Sequence, residues 1–208
     1  MDERVRQAWE SFLNPDVLRP NLILASLYIA AFEMLKRTIV ERLRDFYVTG
    51  FDKSVKEKDG WLIDPDYETR VLSRNRSRVY ASLGWLKESN VIDDQDIAAF
   101  ERVKKCRNDV AHEINRLLSE GLPPDLPNCF SEIIALVDKI ERWWIVNVEI
   151  PTNPDFDGEE IDESGIVPGP IMGLRLLIDI ALGSGQDSKF YLNEFLKQAR
   201  PKGRSSVN

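Results

Sequence analysis

Residues 20–48 read PNLILASLYIAAFEMLKRTIVERLRDFYV. Pro20 suits the first turn of a helix, where its missing N–H leaves no bond unmade. No charged residue occurs from Asn21 to Phe32. Leu22, Ile23, Leu24, Leu27, Ile29 and Phe32 are spread around the axis rather than gathered on one face. A helix that is apolar all round belongs inside a protein. The stretch therefore predicts a long central helix with other helices packed around it, and so an all-α bundle.

The flanking chain supplies those helices. Val5, Trp9, Phe12 and Leu13 make residues 3–13 amphipathic, and Asn14-Pro15 ends the segment because a residue before proline avoids the helical region. Residues 49–65 hold Gly50, Gly60, Pro65 and many charges, and read as a loop. Further helices are expected from about Asp66 to Ser89, from Asp94 to Glu120, and from Asn128 to Val148. Asp93 or Asp94 caps the second of these, and Gly121 with Pro123-Pro124 stops it. No stretch alternates as a strand does, Ile145–Ile150 alone being ambiguous. The expected fold is an all-α bundle of four or more helices over residues 1–150. Residues 151–170 carry six carboxylates between Asp155 and Glu163, with four prolines and three glycines, and read as an acidic linker or surface loop. Ile171–Leu182 and Ser188–Ala199 follow as two short helices, a C-terminal appendage expected to dock on the bundle or on a partner, and Pro201–Asn208 as a frayed tail.

The chain has 208 residues, 43% of them apolar and 30% charged. That fills one core and excludes a disordered chain, which needs low hydrophobicity with high net charge. Two Cys and one His exclude a disulfide scaffold, a four-thiolate zinc site and any site needing two imidazoles from one chain. With no run of 18 apolar residues and a charged start, Met1-Asp2-Glu3-Arg4, neither a membrane span nor a signal peptide is expected, and the protein is read as cytoplasmic with reduced thiols. The net charge of −7 gives no overall attraction to nucleic acid, so any such contact must be local.

Two charges stand where composition would not place them. Glu33 ends the uncharged stretch of the central helix. Arg107 falls within roughly 60° of Val103, Val110, Phe100, Ala111, Ile114 and Leu118 on a helical wheel, in the middle of an apolar stripe. A buried guanidinium needs an anion, and Glu33 is the obvious partner if these two helices pack. One reading is a structural ion pair that fixes helix register. The other begins with the residues beside Arg107: Asn108, His112 and Asn115 share a neighbouring face, along with Lys104 and Lys105.

The segment Arg107-Asn108-Asp109-Val110-Ala111-His112 resembles the signature of the HEPN superfamily: Arg, often followed by Asn, Asp or His, then His after a gap of four to six residues. Members of that superfamily are all-α bundles, and many prokaryotic ones are metal-independent ribonucleases of toxin–antitoxin, phage-defence and CRISPR systems. The resemblance covers about residues 20–150 and implies roles for Arg107, Asn108, His112 and, as an acidic residue on an earlier helix, Glu33. It also implies a homodimer whose two motifs line one cleft, with the helix over 94–120 at the interface. In some of its toxins a Tyr two residues after the His is modified by an antitoxin. Ile114 stands there in this chain, so that mode of neutralisation is not expected, although another antitoxin or regulatory protein remains open.

The chemistry can be stated from the side chains. Cleavage of RNA by its own 2′-hydroxyl needs a group that takes that proton, one that protonates the leaving 5′-oxygen, and positive charge at phosphorus. Imidazole moves protons near neutrality. Guanidinium is permanently charged and shaped for phosphate oxygens. Neither metal nor cofactor is implied. Arg70, Arg74 and Arg78, at i, i+4 and i+8 of the expected helix over 66–89, would form a track for the RNA backbone, joined by Lys104, Lys105 and Asn115. No aromatic residue interleaves with these arginines before Tyr80, so no base-stacking platform is expected. The alternative is a catalytically silent helical module that dimerises or binds a partner or a nucleotide, with Arg107 and Glu33 as a structural pair.

Overall fold

A computed structural model describes residues 2–54, 60–112, 122–184 and 187–199. The fold is all-α, with one small hairpin. Helix α1 spans Glu3–Leu13 and α2 spans Pro15–Phe46. Only Asn14 separates them: its extended backbone breaks the helix, and its side chain accepts the N–H of Asp16 as an N-cap. The Asn14-Pro15 pair thus ends α1 as expected but also opens α2, five residues earlier than Pro20. Pro20 lies inside the helix.

Along α2, Ala25, Tyr28, Phe32, Leu35, Ile39 and Leu43 are buried at helical spacing. The expectation of an all-round buried helix holds only in part, because Leu22 and Ile23 in its first half are exposed. Against this stripe pack α3 (Arg78–Glu88), α4 (Asp94–His112) and α5 (Leu126–Trp144). Phe100, Val103, Cys106 and Val110 of α4 meet Ile133, Leu136, Val137 and Ile140 of α5 in one core. Trp85 of α3 stacks on Trp144 of α5 with planes 2° apart, closing one end.

Two sequence expectations fail locally. Residues 49–65 contain an antiparallel hairpin, β1 (Val48–Phe51) paired with β2 (Trp61–Ile63), with an irregularity between Val48 and Gly50. Gly60 stands before β2 at φ 83, where an added Cβ would come within 2.8 Å of the Phe51 ring. The helix expected over 66–89 is not continuous. A π-turn at Tyr67–Val71 and a 3₁₀ turn at Leu72–Arg74 end at Asn75, whose extended backbone and side-chain bond to the Ser77 N–H interrupt the chain before α3. Asn competing for backbone N–H groups is the physical cause.

After α5 a π-turn at Ile145–Glu149 and a last turn at Ile150–Thr152 lead into the acidic segment, whose six carboxylates are all exposed. Arg142 reaches across to the carbonyl of Glu163. Helix α6 (Gly169–Leu182) then packs on α2 and α5, with Ile171 and Leu174 inside the core, and α7 (Phe190–Ala199) follows. Glu163–Leu182 is, among the described residues, the one stretch apolar and long enough by composition to cross a membrane, at mean hydropathy 1.6. The tail from residue 200 lies outside the described residues.

Candidate functional site

The packing of α2 on α4 places the two anomalous charges together. Phe32 and Phe100 stack across the helix interface with centroids 6.1 Å apart. Arg107, nearly two turns after Phe100, lays its guanidinium over the outer face of Phe32, with Cζ 5.8 Å from the ring centroid. Glu33 directly follows Phe32, and its Oε1 accepts from Arg107 Nη2 at 3.4 Å. Arg107 Nη1 donates to Asn108 Oδ1 at 3.5 Å. Glu33 also accepts from Lys36 Nζ at 3.2 Å. The group is thus two cations around one carboxylate, with an amide at its edge.

The burial differs from expectation. The Arg107 side chain is 30% exposed and that of Glu33 46%. On α4 the buried stripe runs through Phe100, Val103, Cys106 and Val110, and Arg107 lies on its margin, not in its middle. The pair is a rim ion pair, worth about 0.2–1 kcal/mol to stability. Among the described residues the buried carboxylate is Glu141 on α5. It accepts from the Thr38 hydroxyl at 2.8 Å and lies 3.5 Å from Arg42 Nε, while Arg42 also pairs with Glu149.

The rim position matters chemically. Both terminal nitrogens of Arg107 bond at the long end of hydrogen-bond distance, and Nε is buried with no hydrogen-bond partner among the described residues. Such contacts hold the fork in place but are weak enough for a phosphate oxygen to displace. His112 is the last described residue of α4, five positions and roughly 7.5 Å beyond Arg107 along the axis. Its side chain lies outside the described residues, and so does Asn115.

The other proposed RNA contacts are rearranged by the fold. The break at Asn75 removes the shared helical face of Arg70, Arg74 and Arg78. Arg70 pairs with Asp66 at 3.5 Å, and Arg74 pairs with Glu88 while its Nε donates to the Arg70 carbonyl at 2.6 Å. Arg78 is exposed and makes no ion pair among the described residues. Lys104 is held by the Tyr80 hydroxyl at 2.6 Å, which in turn donates to Glu101, and this bond raises the ammonium pKa above its ordinary value. Lys105 is exposed.

The fold also supplies aromatics that the local sequence lacks. Phe46 and Tyr47 from the end of α2 and Trp85 from α3 line a cavity of about 750 Å³ together with Arg70, Arg74 and Glu88. Aromatic faces therefore do stand beside these arginines, from residues about 25 positions before them and 11 after. Behind Arg107, Cys106 is buried near Tyr28 and Cys129; burial pushes its thiol up to about 11. Among the described residues no three His, Cys, Asp or Glu side chains converge as a metal site would require.

Compared with known proteins, the chain matches no family model, no curated protein and no solved structure.

Proposed function

We propose that this protein is a HEPN-type, metal-independent endoribonuclease that cuts RNA by attack of its own 2′-hydroxyl. The observation that supports this reading is the Arg107 group: a guanidinium held over Phe32 between Glu33 and Asn108, partly exposed, five residues before the chain's one histidine. In the reaction His112 takes the 2′-hydroxyl proton and the 2′-oxygen bonds to phosphorus. The phosphorus–5′-oxygen bond then breaks, and the leaving oxygen takes a proton from the second copy's imidazolium. The products are a 2′,3′-cyclic phosphate and a 5′-hydroxyl. Arg107 neutralises the charge gathering on the phosphoryl oxygens. Glu33 and Asn108 are positioning residues. A homodimer with two motifs facing one cleft supplies a second imidazole, so that base and acid are separate groups, and the reading therefore includes such a homodimer. A cytoplasmic toxin or phage-defence effector, checked by an antitoxin or regulatory protein, is the cellular role that fits such an activity.

A second reading has its own support. Glu33 is shared by Arg107 and Lys36, and Arg70, Arg74 and Lys104 are all paired within the chain, as in a silent partner-binding module. Purified wild type, His112→Ala and Arg107→Ala incubated with total RNA in EDTA separate the two. The nuclease reading expects cyclic-phosphate ends from wild type alone. Equal cleavage by all three, or none by wild type together with no toxicity on expression, rejects it.

A further inference from the structure

We propose that the helix pair α6 and α7 is a self-association surface that packs against the same pair of a second copy of this chain. The two helices are tied by the Tyr191 hydroxyl, which donates to Asp179 Oδ2 at 2.8 Å. Among the described residues of the pair only Ile171 and Leu174 are buried. Met172, Leu177, Phe190, Leu192, Phe195 and Leu196 are 46–65% exposed. With Leu176, Ile180, Leu182 and Tyr191, at 37–44%, they make ten large apolar side chains exposed on two helices, where an ordinary monomer's largest apolar patch is about 300–600 Å² and a standard stable interface takes ~800 Å² per partner. Ile178 and Leu182 line both the cleft of about 940 Å³ between α6 and α7 and an apolar groove of about 450 Å³ that Leu24, Leu27 and Phe130 close on the bundle.

The charge pattern selects the occupant. Arg175 and Asp179 are the only charges of α6, and Asp179 is occupied by Tyr191. On α7, Glu194 and Lys197 pair with each other at 2.6 Å. A face this close to neutral meets its own copy about a two-fold axis without like-charge repulsion, and the two copies bring four apolar helices together. A membrane fits poorly. Of the 20-residue stretch Glu163–Leu182 only the 14 residues of α6 are continuous α-helix, about 21 Å long against a hydrocarbon core of ~30 Å, and the six exposed carboxylates up to Glu163 repel anionic headgroups. This surface is built on α2 and α5, apart from Arg107 on α4, and the inference holds whether or not the chain cuts RNA.

The test is the mass of the full-length protein by light scattering, for wild type and for the double variant Leu177→Glu/Phe195→Glu, with circular dichroism as the check on folding. The expected result is that the variant keeps the wild-type helical signal and has half its mass, whatever further contact the α4 face makes. Equal masses overturn the proposal, as does a monomeric wild type at tens of micromolar. Should the double variant not fold, Leu192→Cys serves instead. Mild oxidation with diamide is expected to link two copies through this exposed position, while Ser54→Cys on the β-hairpin stays unlinked. Absence of the Leu192→Cys dimer, or vesicle binding by wild type that Phe195→Glu abolishes, overturns the proposal equally.

Discussion

A guanidinium resting on an aromatic ring with half-exposed partners has little to do for stability, and that separates its two readings. Replacing Glu33 by Gln removes a rim ion pair and keeps an acceptor near Arg107. Stability in urea is expected to change by less than about 1 kcal/mol, while RNA cleavage falls several-fold as the fork loses its charged guide. Arg107→Lys keeps the charge and loses the fork, so cleavage is expected to drop by roughly 10- to 100-fold and by more in Arg107→Ala. A loss of about 2 kcal/mol or more in Glu33→Gln with unchanged cleavage marks a purely structural pair. One residue back, burial of the Cys106 thiol has a stability consequence. Its folded pKa of about 11 lies above the ordinary value near 9, and burial raises the Tyr28 hydroxyl as well. A raised acid stays protonated in the native state while the unfolded chain ionises. The stabilisation is therefore full below pH 9 and is lost as pH rises through about 11. Urea midpoints measured from pH 8 to 11 are expected to fall by on the order of 1–2 kcal/mol equivalent, and Cys106→Ala to flatten that fall.

At the scale of elements, what sequence reveals depends on how far a signal reaches along the chain. Helices α1, α2 and α5 carry apolar spacing over many turns, punctuated by Asn14-Pro15 and Pro123-Pro124, and were legible to within a few residues apart from the early start of α2; the start of α4 at Asp94 was legible too, while its expected end at Glu120 lies outside the described residues. The β-hairpin was not, because strands of four and three residues are too short to show alternation and their pairing joins residues 48 and 63. Nor was the break at Asn75, which turns on a single side-chain bond inside an otherwise helix-compatible stretch. That one bond undoes the arginine track, since helical spacing places residues on a face only while the helix continues. The meeting of Glu33 with Arg107 was legible because each charge adjoins an apolar stretch of its helix, although Arg107 stands at the margin of its stripe and the pair is not buried. The burial of Glu141 was hidden, since its neighbours Lys139 and Arg142 make a carboxylate there look ordinary. The aromatic lining beside Arg70 and Arg74 belongs to this class too: Phe46 and Trp85 reach it only through the tertiary fold.

At the scale of the whole molecule, on the nuclease reading, the net charge of −7 sets how RNA would be held. Six carboxylates stand exposed in the acidic segment, and several arginines are neutralised inside the chain by Asp66, Glu88, Glu132 and Glu141. Attraction must then come from a few cations acting at short range. Arg107 is partly exposed, and Lys105, Arg76 and Arg78 are exposed with no ion pair among the described residues. Each phosphate met by such a cation releases counterions, and for a single strand the logarithm of affinity falls by about 0.7 per contact per decade of salt. Three or four contacts give a slope of roughly −2 to −3. Fluorescence anisotropy of a labelled, uncleavable single-stranded oligonucleotide on His112→Ala, measured between 50 and 300 mM salt, tests this as an order-of-magnitude expectation. Replacing Arg78 by Ala is expected to shallow the slope by about 0.7 without changing sequence preference, because a phosphate contact carries no sequence information. A slope of about −5 or steeper requires a basic surface larger than the single chain presents, which only apposed copies supply. A slope near zero with binding retained removes phosphate contact from the interaction and, with it, the role given to Arg107.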